Sequence, residues 1–257
     1  MTIKISFTPA SVLLGEGDYY IEERIYQKDN FEFLFKESML LSDLQIIRGI
    51  GPVTEEKLKN EGYKDIESLC MHMRWGDNAK AVTKAIQEKD IDFFRGTKIS
   101  DWQVLTLFSC TDMLFLDIET CGLSSTQPLF LVGIMEICKN GYMHLKQFLA
   151  RTYKEEIAVL SRIRDELKKA CVVVTYNGRR FDMPYIKNRL KYYGLCCSSG
   201  YFHFDLLWTV RRLFKGILPN CKLDTVTAHV LGYKRGGEDI QGYMIPEVYH
   251  NFVKDPD

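Results

Sequence analysis

The stretch Leu114-Phe115-Leu116-Asp117-Ile118-Glu119-Thr120 constrains the fold of this chain more than any other. It is an apolar run carrying two carboxylates two residues apart. On a strand, residues i and i+2 project from the same face, so Asp117 and Glu119 stand side by side on a segment otherwise suited to burial. Buried charge is costly unless something offsets it, and no Arg or Lys lies within the run. A divalent cation is one economical partner, because hard metals such as magnesium take carboxylate oxygens. An edge strand whose polar face meets water accommodates the same residues, and the run alone leaves both readings open.

The surrounding pattern alternates strands with helices, which points to an α/β fold. Met113 to Ile118 reads as a strand, Gly122 to Gln127 as a turn-rich loop, and Leu129 to Cys138 as a longer apolar strand. Asn140-Gly141 is a hairpin signal that predicts an antiparallel strand over Tyr142 to Leu149. Residues 154–169 carry Ile157, Leu160, Ile163 and Leu167 at helical spacing. Val172 to Tyr176 is a buried strand ending at Asn177-Gly178, and helix follows over Met183 to Tyr193. A short strand at Tyr201 to Phe204 leads to helices at Asp205 to Phe214 and Leu223 to Leu231, and a last helix begins near Pro246. Nearer the N terminus, Tyr19 to Tyr26 is rich in strand formers, and Phe31 to Lys36 is a candidate to pair with it.

Formal net charge is zero over 257 residues, so no whole-chain basic field advertises a polyanion. None of the eight cysteines forms a C-x-x-C pair. Reduced thiols acting as small core hydrophobes, in a cytoplasmic protein, fit best. The N terminus lacks a signal-peptide pattern, and the longest apolar run, Leu129 to Met135, is too short to span a membrane.

Between the two regions lies Arg48-Gly49-Ile50-Gly51-Pro52, followed by Leu58 and Gly62. Pro52 suits the first helical position, Gly62 a helix stop, and Asp65 the cap of a further helix. Another helix is expected from about Asn78 to Gln87. The short helix, glycine turn and second helix resemble the helix-hairpin-helix family, in which hairpin amides hold a nucleic-acid phosphate. The resemblance implies that role for Gly49 and Gly51. A helical packing or protein-docking module fits the same residues, since Glu55, Glu56 and Glu61 balance Lys57, Lys59 and Lys64.

The most specific stretch is Tyr176-Asn177-Gly178-Arg179-Arg180-Phe181-Asp182-Met183-Pro184-Tyr185. Taken singly, Asp182 suits a helix cap and Asn177-Gly178 a turn. Together with Asp117-Ile118-Glu119-Thr120, the stretch resembles the RNase-H-like 3′–5′ exonuclease superfamily known for its Asp-Glu-Asp-Asp metal site. Later segments resemble its YprB-type branch: His203-Phe204-Asp205-Leu206-Leu207, Arg211-Arg212-Leu213-Phe214-Lys215, Cys221-Lys222-Leu223, Leu231-Gly232, Asp239-Ile240-x-Gly242 and Ile245-Pro246-Glu247-x-Tyr249. The resemblance spans about residues 112–255. It implies an RNase-H-like mixed sheet flanked by helices, with Asp117, Glu119 and Asp182 as catalytic ligands of two Mg2+ or Mn2+ ions. Such a pair clamps the attacking and leaving oxygens of a phosphodiester.

The family's last acidic residue falls in a His-Asn-x-x-Asp or Tyr-x-x-x-Asp motif. His250-Asn251 does not complete it, because Asp255 is one place late and its setting matches the stretch upstream of that motif. The fourth ligand is therefore expected to be missing, with Asp205 a possible stand-in, the second metal weakly held, and this chain a poor nuclease or none. Asn177 and, beside the proposed metal site, Arg179 and Arg180 are candidates to contact a nucleic-acid backbone, and Arg211, Arg212 and Lys215 extend the basic cluster; a solvated face is the alternative. His203 and His229 read as partly buried structural residues.

The expected organisation is a β-rich segment over residues 1–42, a helix-hairpin-helix region over 43–98 and an RNase-H-like domain over 110–257. The expected activity is a metal-dependent 3′–5′ exonuclease on single-stranded DNA or RNA ends, with no membrane partner. The rival readings are a noncatalytic nucleic-acid-binding module on a degenerate nuclease fold, and a structure-selective endonuclease guided by the hairpin.

Overall fold

The computed structural model describes residues 4–11, 18–27, 37–139, 142–196, 200–233 and 240–255. Two strands open the chain, β1 (Lys4–Ser11) and β2 (Asp18–Gln27). Six helices follow: α1 (Glu37–Leu41), α2 (Pro52–Asn60), α3 (Ile66–Leu69), α4 (Gly76–Gln87), α5 (Ile91–Arg95) and α6 (Asp101–Leu105). The α/β series then runs β3 (Met113–Thr120), β4 (Leu129–Ile137), β5 (Tyr142–Leu149), α7 (Glu156–Lys169), β6 (Val172–Thr175), α8 (Asp182–Tyr192), β7 (Phe202–Asp205), α9 (Leu206–Phe214), α10 (Leu223–Val230) and α11 (Ile245–Lys254).

The chain divides into two compact units, residues 31–110 and residues 1–30 with 111–257. The sequence predicts a separate segment over residues 1–42 and a helical region over 43–98. Instead, the N-terminal strands enter the sheet of the second unit, whose order is β1-β2-β5-β4-β3-β6-β7. Both edges of β2 are taken, by β1 and by β5. Phe31 to Lys36, the expected partner of β2, and the Asn140-Gly141 hairpin lie outside the described residues, as does Asp239. β4 and β5 pair antiparallel, as expected.

The parallel half of the sheet arises because α7 and α8 are crossovers, returning the chain to start β6 beside β3 and β7 beside β6 in the same direction. One face of β3 and β4 supplies Leu114, Leu116, Ile118, Val132 and Ile134 to the main core. There they meet Val159, Leu160, Ile163 and Leu167 of α7, spaced to share one helix face, with Met183, Ile186 and Leu190 of α8. Ile157, expected on that face, is only half-buried. Cys121 sits in this core, where burial pushes its thiol up to about 11, as suits an inert structural cysteine.

A buried ion pair ties this layer together. Glu156, 1% exposed, takes Arg189 Nε and Nη2 at 2.7 and 2.5 Å, the Tyr193 hydroxyl at 2.8 Å and the Leu129 amide at 2.8 Å. All these donors converge on one carboxylate, so its charge is compensated rather than stranded. The Tyr185 hydroxyl lies 2.9–3.2 Å from the Gly122, Ser124 and Gln127 carbonyls, and so closes the loop between β3 and β4 over α8.

In the helical unit, Gly51 is extended and precedes Pro52 at the start of α2. Gly49 has φ +96° in an exposed turn, and a Cβ there would come within 3.2 Å of Trp75. α2 ends as expected at Gly62, φ +101°, with Tyr63 N–H donating to the Leu58 carbonyl and Gly62 N–H to that of Lys59, the two bonds of a Schellman cap. Asp65 caps α3 by accepting from the Ser68 amide at 2.7 Å. The Glu55 carboxylate accepts from the Leu44 amide and the Gln45 side chain and pairs with Lys59, which fixes the approach to the glycine turn.

Candidate active site

β3 alternates between a buried face and a face shared by Phe115, Asp117 and Glu119, of which Asp117 is exposed. Its antiparallel register sets Asp117 opposite Gly133 and Glu119 opposite Leu131, with a bulge between Glu119 and Thr120. Bulges of this kind re-aim side chains at strand ends. A Cβ built on Gly133 would meet nothing within 4 Å, so the glycine leaves open space beside Asp117. A glycine within an apolar strand is a signal of close approach by something else, and it was available in the sequence.

Asp182 reaches the same place from β6. In the turn after β6, Asn177 adopts φ +69°, a left-handed conformation that asparagine tolerates. Its carbonyl accepts from the Arg180 and Phe181 amides. Gly178 is required for space, since a Cβ there would lie 2.5 Å from the Thr175 side chain. The turn delivers Asp182 as the first residue of α8, 4% exposed. Its pKa is pushed up to about 7, first by burial and next by the charge of Asp117, with Asp205 adding to it; the Asp182 and Ile118 amides oppose the rise. Because β3 and β6 are adjacent and parallel, their carboxyl ends bring Asp117 and Asp182 together, where open α/β sheets bind ligands. Among the described residues, however, no three of His, Cys, Asp and Glu are close enough to hold one ion. Asp117 and Asp182 are coupled, whereas Glu119, one pleat along, borders an apolar cleft of about 360 Å3. Phe130 and Leu131 of β4, Leu149 of β5 and Val248 and Phe252 of α11 line that cleft.

The donor set fits a hard divalent cation in kind, being all carboxylate oxygen. It fits electrostatically as well, since a cation would relieve the repulsion and desolvation that raise Asp182.

Asp205 is committed to the fold. At 1% exposure it accepts from the Asn177 amide at 2.8 Å, the Arg179 amide at 3.0 Å and the Leu207 amide at 3.0 Å. One carboxylate thus caps α9 and latches the Asn177 turn. Arg179, expected near a ligand backbone, directs its guanidinium to the His203 carbonyl, while Arg180 is exposed. His203 is half-buried beside Thr175 Oγ1 at 2.9 Å, and burial together with Arg179 lowers its pKa to about 4, so it is neutral at physiological pH. His229 is exposed rather than partly buried. His250 is engaged by the Tyr153 hydroxyl, and Asp255 follows α11 as its exposed C-cap.

A family model described as RNase_H superfamily matches residues 114–257. The chain belongs to the RNase H superfamily. Its site is thus carried on an RNase-H-like nuclease fold, with the two coupled carboxylates at the ends of its central parallel strands. Among curated superfamily relatives, a Bacillus subtilis (strain 168) protein, "Uncharacterized protein YprB", is 33% identical over 151 residues, covering 57% of this chain and 36% of that protein. A DNA polymerase of Methanocaldococcus jannaschii is 30% identical over 103 residues, 32% of this chain and 6% of the polymerase. The chain therefore spans little more than a third of one relative's length and a small fraction of the other's. Among solved structures, the family B DNA polymerase of the hyperthermophilic archaeon Pyrobaculum calidifontis aligns with a TM-score of 0.45 and 22% identity, over 56% of this chain and 21% of that one. No helix among the described residues is long and apolar enough to cross a membrane.

Proposed function

We propose that residues 111–257 act as a divalent-metal-dependent phosphodiesterase, a 3′–5′ exonuclease on single-stranded nucleic-acid ends. The observation that carries this reading is the coupling of Asp117 to buried Asp182 at the ends of adjacent parallel strands. A carboxylate raised to about 7 in an open site is poised for a cation or a proton. Asp117 and Asp182 would hold Mg2+ or Mn2+, with Glu119 completing the set at the bulge. The bound ions would supply an activated water and charge stabilisation at the departing 3′-oxygen. Gly133 leaves room for the scissile phosphate beside Asp117. The apolar cleft next to Glu119 suits a terminal base and excludes water from one side of the site. The Asp205 latch holds the Asn177 turn, and through it the start of α8, so Asp182 does not drift.

The test is release of mononucleotide from a 3′-labelled single strand with Mn2+. Asp117→Asn removes charge with little change of shape and should abolish release, as should Asp182→Asn. Asp117-independent release, or cutting only within the strand, would refute the exonuclease reading.

A noncatalytic nucleic-acid-binding role is favoured by one observation: no three candidate ligands among the described residues stand within reach of one ion. With Asp205 held by three amides, it is a poor substitute for a fourth ligand, and a second ion would bind weakly. Density for a single Mn2+ between Asp117 and Asp182 in soaked crystals, with no turnover, would favour this reading. For the helical unit, we propose phosphate binding at the exposed Arg48-Gly49 turn, supported by the extended Gly51 before α2. Replacing Gly49 and Gly51 with bulky residues should weaken strand binding and its salt dependence; binding insensitive to both changes would make the unit a packing or docking module.

A further inference from the structure

A cleft of about 670 Å3 lies between α9 and the start of α10, lined by Tyr176, Asn177, Arg211, Lys215, Lys222 and Leu223 among others. Its basic residues are not side chains that happen to be near one another. Arg211 lies in the last turn of α9, Lys215 is the extended residue that follows the helix, and Lys222 immediately precedes α10. The segment before α10 is tied to the residue that follows β6, where the Tyr176 hydroxyl donates to the Cys221 carbonyl at 2.6 Å. Arg211, Lys215 and Lys222 are all exposed, and none forms an ion pair among the described residues. The buried carboxylate nearby, Asp205, is engaged by three backbone amides, and the exposed acid in the first turn of α10, Asp224, is not among the residues that line the cleft. The charged side chains that line the cleft are thus all basic, which favours an anion. Trp208, 49% exposed, lies on α9 outside the residues that line the cleft, one turn before Arg211 and Arg212. An exposed indole beside uncompensated cations combines a stacking surface with phosphate contacts, the pairing by which single strands are held without base readout.

We infer that this cleft binds the sugar–phosphate backbone of a single-stranded nucleic acid, with Arg211, Lys215 and Lys222 on phosphates and Trp208 stacking on a base. The inference rests on the nucleic-acid reading above and gives the strand a path. Asn177 borders the cleft and opens the turn that ends at Asp182, so a strand lying in the cleft continues toward the carboxylates. The test is fluorescence anisotropy of a labelled oligothymidylate of about 15 nucleotides with the full chain in EDTA, where neither metal binding nor cleavage enters. Arg211→Gln with Lys215→Gln should weaken binding at least tenfold and reduce the slope of log K against log salt by about 1.4, or about 0.7 for each lost contact. Phosphate contacts add in that slope, so a second binding surface elsewhere leaves the difference readable. Trp208→Ala should weaken binding about fivefold or more, consistent with a lost stacking contact. Both altered basic side chains are exposed, and an unchanged melting temperature checks folding; Lys222→Gln provides an independent variant. Unchanged affinity and slope in both the double variant and Lys222→Gln would overturn the inference. So would displacement of the strand by thymidine monophosphate at equal phosphate concentration, which would make the cleft a mononucleotide site. A chain that binds through the cleft but cleaves nothing refutes only the exonuclease reading. One that cleaves, yet binds strands equally well in all variants, refutes only the cleft.

Discussion

Asp182→Asn should stabilise the metal-free protein, and by more as pH rises. Asp182 is 4% exposed and its pKa is raised from the ordinary 3.8 to about 7 by burial and by Asp117. With the folded pKa above the unfolded value, the native state binds the extra proton between those pH values. Stability is therefore lost as pH rises through that window, and the full penalty stands above pH ~7. A shift of roughly three units at about 1.4 kcal/mol each sets a ceiling of ~4 kcal/mol. Asparagine removes the charge but keeps only one acceptor oxygen for the Asp182 and Ile118 amides, and a lost hydrogen bond returns about 1–2 kcal/mol of that gain. The net expectation is ~2 kcal/mol at pH about 8, or roughly 4–8 °C in melting temperature for a domain of this size, falling through zero as pH drops and leaving a loss of about 1–2 kcal/mol near pH ~4. Thermal unfolding followed by circular dichroism in EDTA across this range measures it. Mn2+ should then raise the melting temperature of the native protein and leave the variant nearly unmoved. A stability difference that is flat with pH, or a variant less stable at pH ~8, would mean that Asp182 is not held desolvated beside Asp117, and the site reading would fall with it.

Further outcomes follow from the packing. Gly178→Ala forces a Cβ to within 2.5 Å of Thr175 and should cost about 1–3 kcal/mol as an overpacking change, read from urea unfolding midpoints. Arg189→Met strands the Glu156 carboxylate and should cost about 3–5 kcal/mol; adding Glu156→Gln should recover part of the loss, which a double-mutant cycle measures. Asn177→Gly should be nearly neutral, whereas Asn177→Val should cost about 1–2 kcal/mol because Asn177 is left-handed; equal stabilities would argue against that turn geometry.

What the sequence determined on its own was local. The alternation of Leu114 to Thr120 predicted both the strand and the face shared by Asp117 and Glu119. Helical spacing located α7, Gly62 and Asp65 marked a helix end and a helix start, and the Asn177-Gly178 turn delivered Asp182 to the mouth of α8. Such features are written in residues a few places apart, where backbone preference and side-chain period act directly. Tertiary structure decided which elements became neighbours. It placed β2 on the edge of β5, more than a hundred positions away in the chain, with β1 on the far edge of β2, a pairing that strand propensity cannot specify because any open edge offers the same hydrogen-bonding groups. It also committed side chains that the sequence left open. Asp205 went to three amides, Arg179 to the His203 carbonyl and Glu156 to Arg189. Each of these is a long-range match between a polar group and its partner. Only the assembled fold reveals it, because burial creates the need for the partner and folding brings that partner within reach.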